Sequence, residues 1–541
     1  MMMKYRPVTT IMPICNRLYY RTLLARHWRG ICFLLLLLCL LPPCRLTAQA
    51  TAPAVRAEAR LSKKEADELF RSLDDILRFA SEDTNLPIKH NVKRELSSRD
   101  QVAQSMNDRM KDDEDAKRLQ RSELVLKKFG FLPRSFDLRT YLVSLMREQV
   151  AGYYNIKDKT VYLMDWIPSE QQKPVMAHEL THALQDQNFD LKKWLAGDAE
   201  EEAKKAGHPL DQDAEDIASD EQQTARQALV EGQGMAVLID YMLRDSGLTI
   251  STAPSFVEAL KQNISEGSDS PIYSNAPLYM RESLAFPYRY GLSFVQALLS
   301  KGGKDLAYAG ALKRPPRSSH DIMSPDAYLA GQRLEPLTLP HMAAVLGKDY
   351  ERYDVGSVGQ FDVMVLLKQF TNDKLADKLA PEWRGGAYYA ALKHDLPAAQ
   401  PSPDKTTDKS AKAEKKDAAP VTTKSLALLY LSRWSSPEIA VQFAQAYNSM
   451  LLKRYRFVDP QESSEPESTD AKPDAPAKNL QPAPLPGHDS IWHWTTDEGS
   501  IAVEQHGTTV LVMESFEARI QADLSKAVWE EAAPPAKVAT K

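Results

Sequence analysis

Apolar positions recur with a helical spacing in the N-terminal part of the chain. Leu61, Leu69, Phe70, Leu73, Ile76 and Leu77 predict a helix within 58–80, and helical, highly charged sequence continues to about Lys128. The pattern then shortens. Residues 151–155 and 160–164 read as two strands joined by the turn 156–159, a hairpin. A run of apolar and small residues follows around 175–184, interrupted by two histidines and a glutamate, and a second apolar helix covers 228–236. Between them, about 197–224 is strongly polar and reads as a solvated insertion. Near the C-terminus, Ser425–Leu431 is strand-like, a helix runs from about Pro437 to Arg454, and segments near Ile491–Trp494 and Thr508–Met513 alternate. Two stretches, about 397–423 and 459–488, are rich in Pro, Ala, Ser and charge and poor in large apolar residues, so they are expected to be linkers.

One apolar run is of another kind. Ile31 to Leu41 is unbroken, follows a basic segment, and precedes Pro42-Pro43 and an Ala48-Gln49-Ala50 end. It is too short to span a bilayer, which takes about 20 residues. A signal peptide over 1–50, cut after Ala50, is the expected reading, giving an exported chain with no stable membrane span. This segment distorts the composition. It holds seven Lys/Arg and no Asp or Glu; without it 61 basic residues face 73 acidic ones, and the charge falls from −5 to −12. A nucleic-acid binder should carry a basic face, so no nucleic-acid partner is expected. All four cysteines (Cys15, Cys32, Cys39, Cys44) also lie in it. The mature chain would then have no disulfide, thiolate metal site or cysteine nucleophile.

The remaining chemistry concentrates in Val175-Met176-Ala177-His178-Glu179-Leu180-Thr181-His182-Ala183-Leu184. On a helix His178 and His182, one turn apart, face the same way and can bind one zinc ion. Glu179 can then act as general base toward a zinc-activated water. Gln185 and Asn188 stand where a metzincin would have Gly and a third His, so that class is disfavoured. A glutamate from another helix is the other common third ligand. Glu231 is the best candidate, a lone carboxylate in an apolar helix with Gly232 and Gly234 beside it to admit the HExxH helix; His208, Asp220 and Glu221 are rivals. A peptidase also needs an oxyanion donor. Tyr290 is the first choice, with Tyr288, Arg289 and His320 as alternatives, and Asp186 is placed to orient a ligand histidine. The hairpin before the helix can offer a sheet edge to an extended peptide.

HELTHALQDQ with the later ALVEG resembles the gluzincin zinc metallopeptidases. REQVAGYYNIKDKTVYLMD, FPYRYG and RPPRSSHDIMSPDAY are similar to a set of exported bacterial proteins with that site, over about residues 60–390. The resemblance implies zinc held by His178, His182 and Glu231, with Glu179 as catalytic base. The 49-residue gap from His182 to Glu231 is long for the group, and no GAMEN-like stretch is present, which disfavours its aminopeptidases. The expected fold is α+β and predominantly helical. A helical segment at 51–130 precedes a zincin-like domain at 131–396, in which a short sheet edged by the hairpin packs on the HExxH helix and a helical half carries Glu231. A linker at 397–423 and a small α+β module at 424–541, interrupted by 459–488, complete it. The expected function is that of an exported, periplasmic or extracellular zinc endopeptidase acting on peptides or proteins. The alternative is a cell-envelope scaffold that keeps a structural zinc site.

Overall fold

The computed structural model describes residues 60–102, 104, 113–149, 152–205, 210–266, 270–335, 337–394, 421–456, 458–460 and 489–532. The expected signal peptide, the two expected linkers apart from their margins, and His208 lie outside the described residues. The described chain is mixed α/β and mostly helical, and among the described residues no helix is long and apolar enough to cross a membrane. It divides into two units, one of residues up to Leu126, 131–336 and 356–383, the other of 127–130, 337–355 and 384 onward.

In the first unit, α1 (Lys63–Thr84) opens on a capping box. Ser62 accepts from the Glu65 N–H, and the Glu65 carboxylate accepts from the Ser62 N–H at 2.7 Å. Its apolar stripe, Leu69, Leu73, Ile76 and Leu77, is buried, and the helix packs on the HExxH helix. The charged sequence after α1 is not all helical, contrary to expectation. Lys93–Ser97 forms strand β1, parallel to β3. KRELS has no apolar alternation, so its state is set by the strand it pairs with. Helices α2 (Asp113–Phe129) and α3 (Leu138–Gln149) lead to the hairpin of β2 (Gly152–Asn155) and β3 (Thr160–Met164). Tyr153 pairs with Tyr162, and their rings stack at 4.7 Å. The sheet order is β1-β3-β2, so only β2 of the expected edge hairpin lies at an edge; β3 is central.

Helix α4 (Ser169–Phe189) carries HExxH and is buried on every face from Val175 to Asp186, as an apolar helix should be. The buried Gln172 clamps its first turns to the end of β3: its Oε1 accepts from Met164 N at 2.9 Å, and its Nε2 donates to the carbonyls of Met164 and Ile167. Helix α5 (Gln212–Leu243) carries Glu231 and packs on α4 and on α6 (Leu278–Asp305). The expected solvated insertion at about 197–224 is corrected at its C-terminal end. Asp211 caps α5 by accepting from Ala214 N, and Asp216 and Ser219 to Gln227 are buried. Several of these polar side chains find partners inside. Asp220 accepts from Ser357 N, Glu221 from Ser319 N and Oγ, and Arg226 donates to the Trp194 carbonyl. Gly232 also differs from expectation. A Cβ there would lie 2.3 Å from the Gly291 backbone, so this glycine admits α6 rather than α4. Short α7 (Ser319–Met323) and α8 (Gln360–Phe370) also belong to this unit.

The second unit is a seven-stranded sheet in the order β4-β5-β6-β10-β9-β8-β7. Its strands are β4 (Tyr350–Ser357), β5 (Trp383–Lys393), β6 (Leu426–Trp434), β7 (Val458–Pro460), β8 (Ser490–Thr496), β9 (Gly499–His506) and β10 (Thr509–Glu514). Helices α9 (Pro437–Arg454) and α10 (Ala518–Ala532) accompany it. The expected strands and the α9 helix are present. The boundaries at 396 and 424 are not those of this unit, because β4 and β5 join the sheet that continues through β6. Buried charge holds part of it. Arg454 grips Glu514 with two hydrogen bonds of 2.9 Å, and Tyr447 and Tyr455 donate to the same carboxylate.

Candidate metal centre

The turn spacing of α4 brings His178 and His182 to one side, with their Nε2 atoms 2.9 Å apart. From α5, Glu231 Oε2 stands 3.4 Å from each of them. These three are the one group of His, Cys, Asp and Glu among the described residues arranged to hold a metal ion. Two atoms each about 2.0–2.1 Å from a tetrahedral ion are roughly 3.3–3.4 Å apart, which these separations approach. The two ring nitrogens are the polar neighbours of Glu231 Oε2, which has no hydrogen-bond donor among the described residues. Burial pushes the Glu231 carboxyl above its ordinary range, opposed by His182. Burial, and then His182, push His178 well below the ordinary imidazole value. The pocket therefore disfavours charge on its own groups, and a cation facing all three would relieve that cost.

Gly234 makes room for this arrangement. A Cβ at 234 would lie 2.4 Å from His178 Nε2. Glu179, fully buried, faces the neighbouring strand. Its Oε2 accepts from the Tyr154 N–H of β2 at 2.8 Å, while its Oε1 has no partner among the described residues. Burial pushes its carboxyl well above the ordinary range, and Glu231 adds to the shift. Tyr154 thus has a role the sequence reading did not assign. The hairpin was visible as alternating sequence, but nothing local says that its N–H meets the glutamate.

Beyond the ligands, His182 Nδ1 stands 2.8 Å from Gln185 Oε1. Gln185 Nε2 donates to Gln233 Oε1 at 2.7 Å and to the Val230 carbonyl at 3.2 Å. Gln233 Nε2 in turn donates to the carbonyls of Ala307 and Tyr308. Both glutamines are fully buried. The sequence carried a signal for them, two amides inside apolar helices near the ligands.

Asp186, expected to orient a histidine, is used elsewhere. It accepts from Tyr154 Oη at 2.8 Å, from Leu191 N and from Lys159 Nζ. The aromatic and acidic alternatives are also occupied. Tyr290 donates its hydroxyl to Met364 Sδ at 3.3 Å and packs against Phe286 and Arg289. Arg289 lies over the Tyr290 ring and near Glu282. Tyr288 is buried, and His320 pairs through Nδ1 with Gln360 Oε1. Asp220 and Glu221 hold backbone N–H groups of Ser357 and Ser319, away from the triad. Comparison with known protein families, characterised proteins and solved structures finds no match to this chain.

Proposed function

We propose that this chain is a zinc-dependent metallopeptidase with a zincin-like catalytic unit, in which His178, His182 and Glu231 hold the ion and Glu179 is the general base. The observation that carries the reading is the convergence of two imidazoles and one carboxylate from α4 and α5, with a second buried carboxylate one residue from the first ligand. Two histidines and a glutamate are the donor set of one class of catalytic zinc site, which leaves a fourth position open. Zinc bound there supplies Lewis-acid chemistry, polarising a carbonyl and lowering the pKa of water.

The protein groups do the proton work. The Tyr154 N–H holds one oxygen of Glu179, leaving Oε1 to accept a proton from the attacking water. The water oxygen bonds to the peptide carbonyl carbon, the C–N bond breaks, and Glu179 delivers the proton to the leaving nitrogen. A structural zinc site has no use for a base, so the presence of Glu179 supports the peptidase reading over the scaffold. The proposal includes export, which rests on the basic, apolar and Ala48-Gln49-Ala50 sequence of the first fifty residues.

The test is Glu179→Gln, with zinc content and hydrolysis of a denatured protein measured on the same sample. Zinc should be retained and the rate should fall by about 10²–10⁴, the usual contribution of a general base. Undiminished hydrolysis would overturn the mechanism, and stoichiometric zinc with no turnover in the wild-type chain would favour the scaffold.

A further inference from the structure

The amide chain beside His182 has a direction, and the direction decides which nitrogen of the ring carries the proton. The carbonyls of Ala307 and Tyr308 can only accept, so Gln233 must turn Nε2 toward them. Its Oε1 then faces Gln185, which must answer with Nε2. The Val230 carbonyl demands the same of Gln185 independently. With Nε2 spent on two acceptors, Gln185 presents Oε1 to His182, and an oxygen there requires a proton on Nδ1. A flip of either amide would set oxygen against oxygen inside a fully buried site.

We propose that Gln185, held in register by Gln233, is a positioning residue that fixes His182 as the Nδ1–H tautomer and so turns an unprotonated Nε2 toward the metal. The inference rests on the reading of His178, His182 and Glu231 as ligands. Its acceptor is a neutral amide rather than the carboxylate often found behind a ligand histidine. The ring is therefore oriented without adding negative charge behind it, and Glu231 is the one carboxylate among the three ligands. Helix α5 contributes twice to the centre, through Glu231 as ligand and through Gln233 two residues later as the anchor of the orienting amide.

The first measurement is made on the wild-type chain. In the metal-free wild-type chain labelled with ¹⁵N-histidine, the His182 ring, identified by its loss in His182→Asn, should show the Nδ1–H pattern. An Nε2–H ring, or an even mixture, would overturn the proposal. The second measurement is zinc affinity by chelator competition. Gln185→Met should raise the zinc Kd by about 10–100-fold, as loss of a ligand's orienting partner usually does. Gln233→Met should raise it less, and the double variant should bind no more weakly than Gln185→Met, since Gln233 acts through Gln185. A Kd for Gln185→Met within about twofold of wild type, or additive effects in the double variant, would overturn it. Should Gln185→Met fail to fold, the wild-type tautomer decides. The two readings fail separately: a wild-type chain with the Nδ1–H tautomer that binds no zinc overturns the metal reading, and an Nε2–H ring in a chain that binds zinc overturns this one.

Discussion

His178 occupies the space that a side chain at position 234 would fill. On helix propensity alone, alanine in place of Gly234 stabilises α5 by about 1 kcal/mol. The new Cβ would instead fall 2.4 Å from His178 Nε2, and the ring or the helix must move. Gly234→Ala should therefore weaken zinc binding by at least ~10-fold, the lower end of what disturbing a ligand's surroundings costs. Chelator competition checks this, and an unchanged affinity would contradict the placement. At this scale the sequence was most readable for groups whose chemistry is local. His178, Glu179 and His182 share one helical turn, and spacing alone puts the two histidines together. Glu231 was legible as a carboxylate with no local reason to be in an apolar helix. The roles of Gln185, Gln233 and Tyr154 were not, because each depends on a partner distant in sequence: Gln233 for Gln185, the carbonyls of Ala307 and Tyr308 for Gln233, and Glu179 for Tyr154. Asp186 misled for the same reason: its position one turn after His182 suggested a ligand contact, but Tyr154 and Lys159 from the hairpin reach it instead.

Helix α5 illustrates what local pattern misses at the scale of an element. Its first half looked like a solvated insertion, yet Asp216 and the run from Ser219 to Gln227 are buried, and Asp220, Glu221 and Arg226 meet partners from other elements. Glu221 is the most exposed to consequence. Burial, then the carboxylate of Asp362, push its carboxyl up to about 8. Below its ordinary value of 4.5 the folded and unfolded chains both hold this proton; between about 4.5 and 8 only the folded chain does. The contribution is thus present at low pH and is lost as pH rises to about 8, by up to ~1.4 kcal/mol per pH unit. Relative to wild type, Glu221→Gln should gain stability as pH rises from 5 to 8, read from denaturant midpoints; parallel curves would contradict this. Strand β1 shows the opposite error, a stretch read as helical because it is charged and lacks alternation. Its parallel partner β3 decides its state, and no pattern within KRELS reports that.

For the molecule as a whole, charge and cysteine are unevenly spread, since all four cysteines and seven basic residues, with no acidic ones, sit in the first fifty residues. The C-terminal elements were legible as a strand-like run at β6, a helical stretch at α9 and alternating segments at β8 and β10. The extent of their unit was not. Strands β4 and β5 precede the expected linker, and only the sheet they join assigns them. That unit carries its own test. Removing Arg454 would leave Glu514 buried without its cation, and breaking such a pair costs about 3–5 kcal/mol. Arg454→Met should therefore lower stability by that order in denaturant unfolding; a loss below ~1 kcal/mol would contradict the buried pair.

The account depends most on the three converging ligand atoms of the first unit. Elemental analysis of the purified chain, equilibrated with zinc and then dialysed, tests that claim directly. One zinc ion per chain is expected, falling to background in Glu231→Gln. A chain that keeps no zinc, or one that keeps as much when Glu231 is replaced, would contradict it.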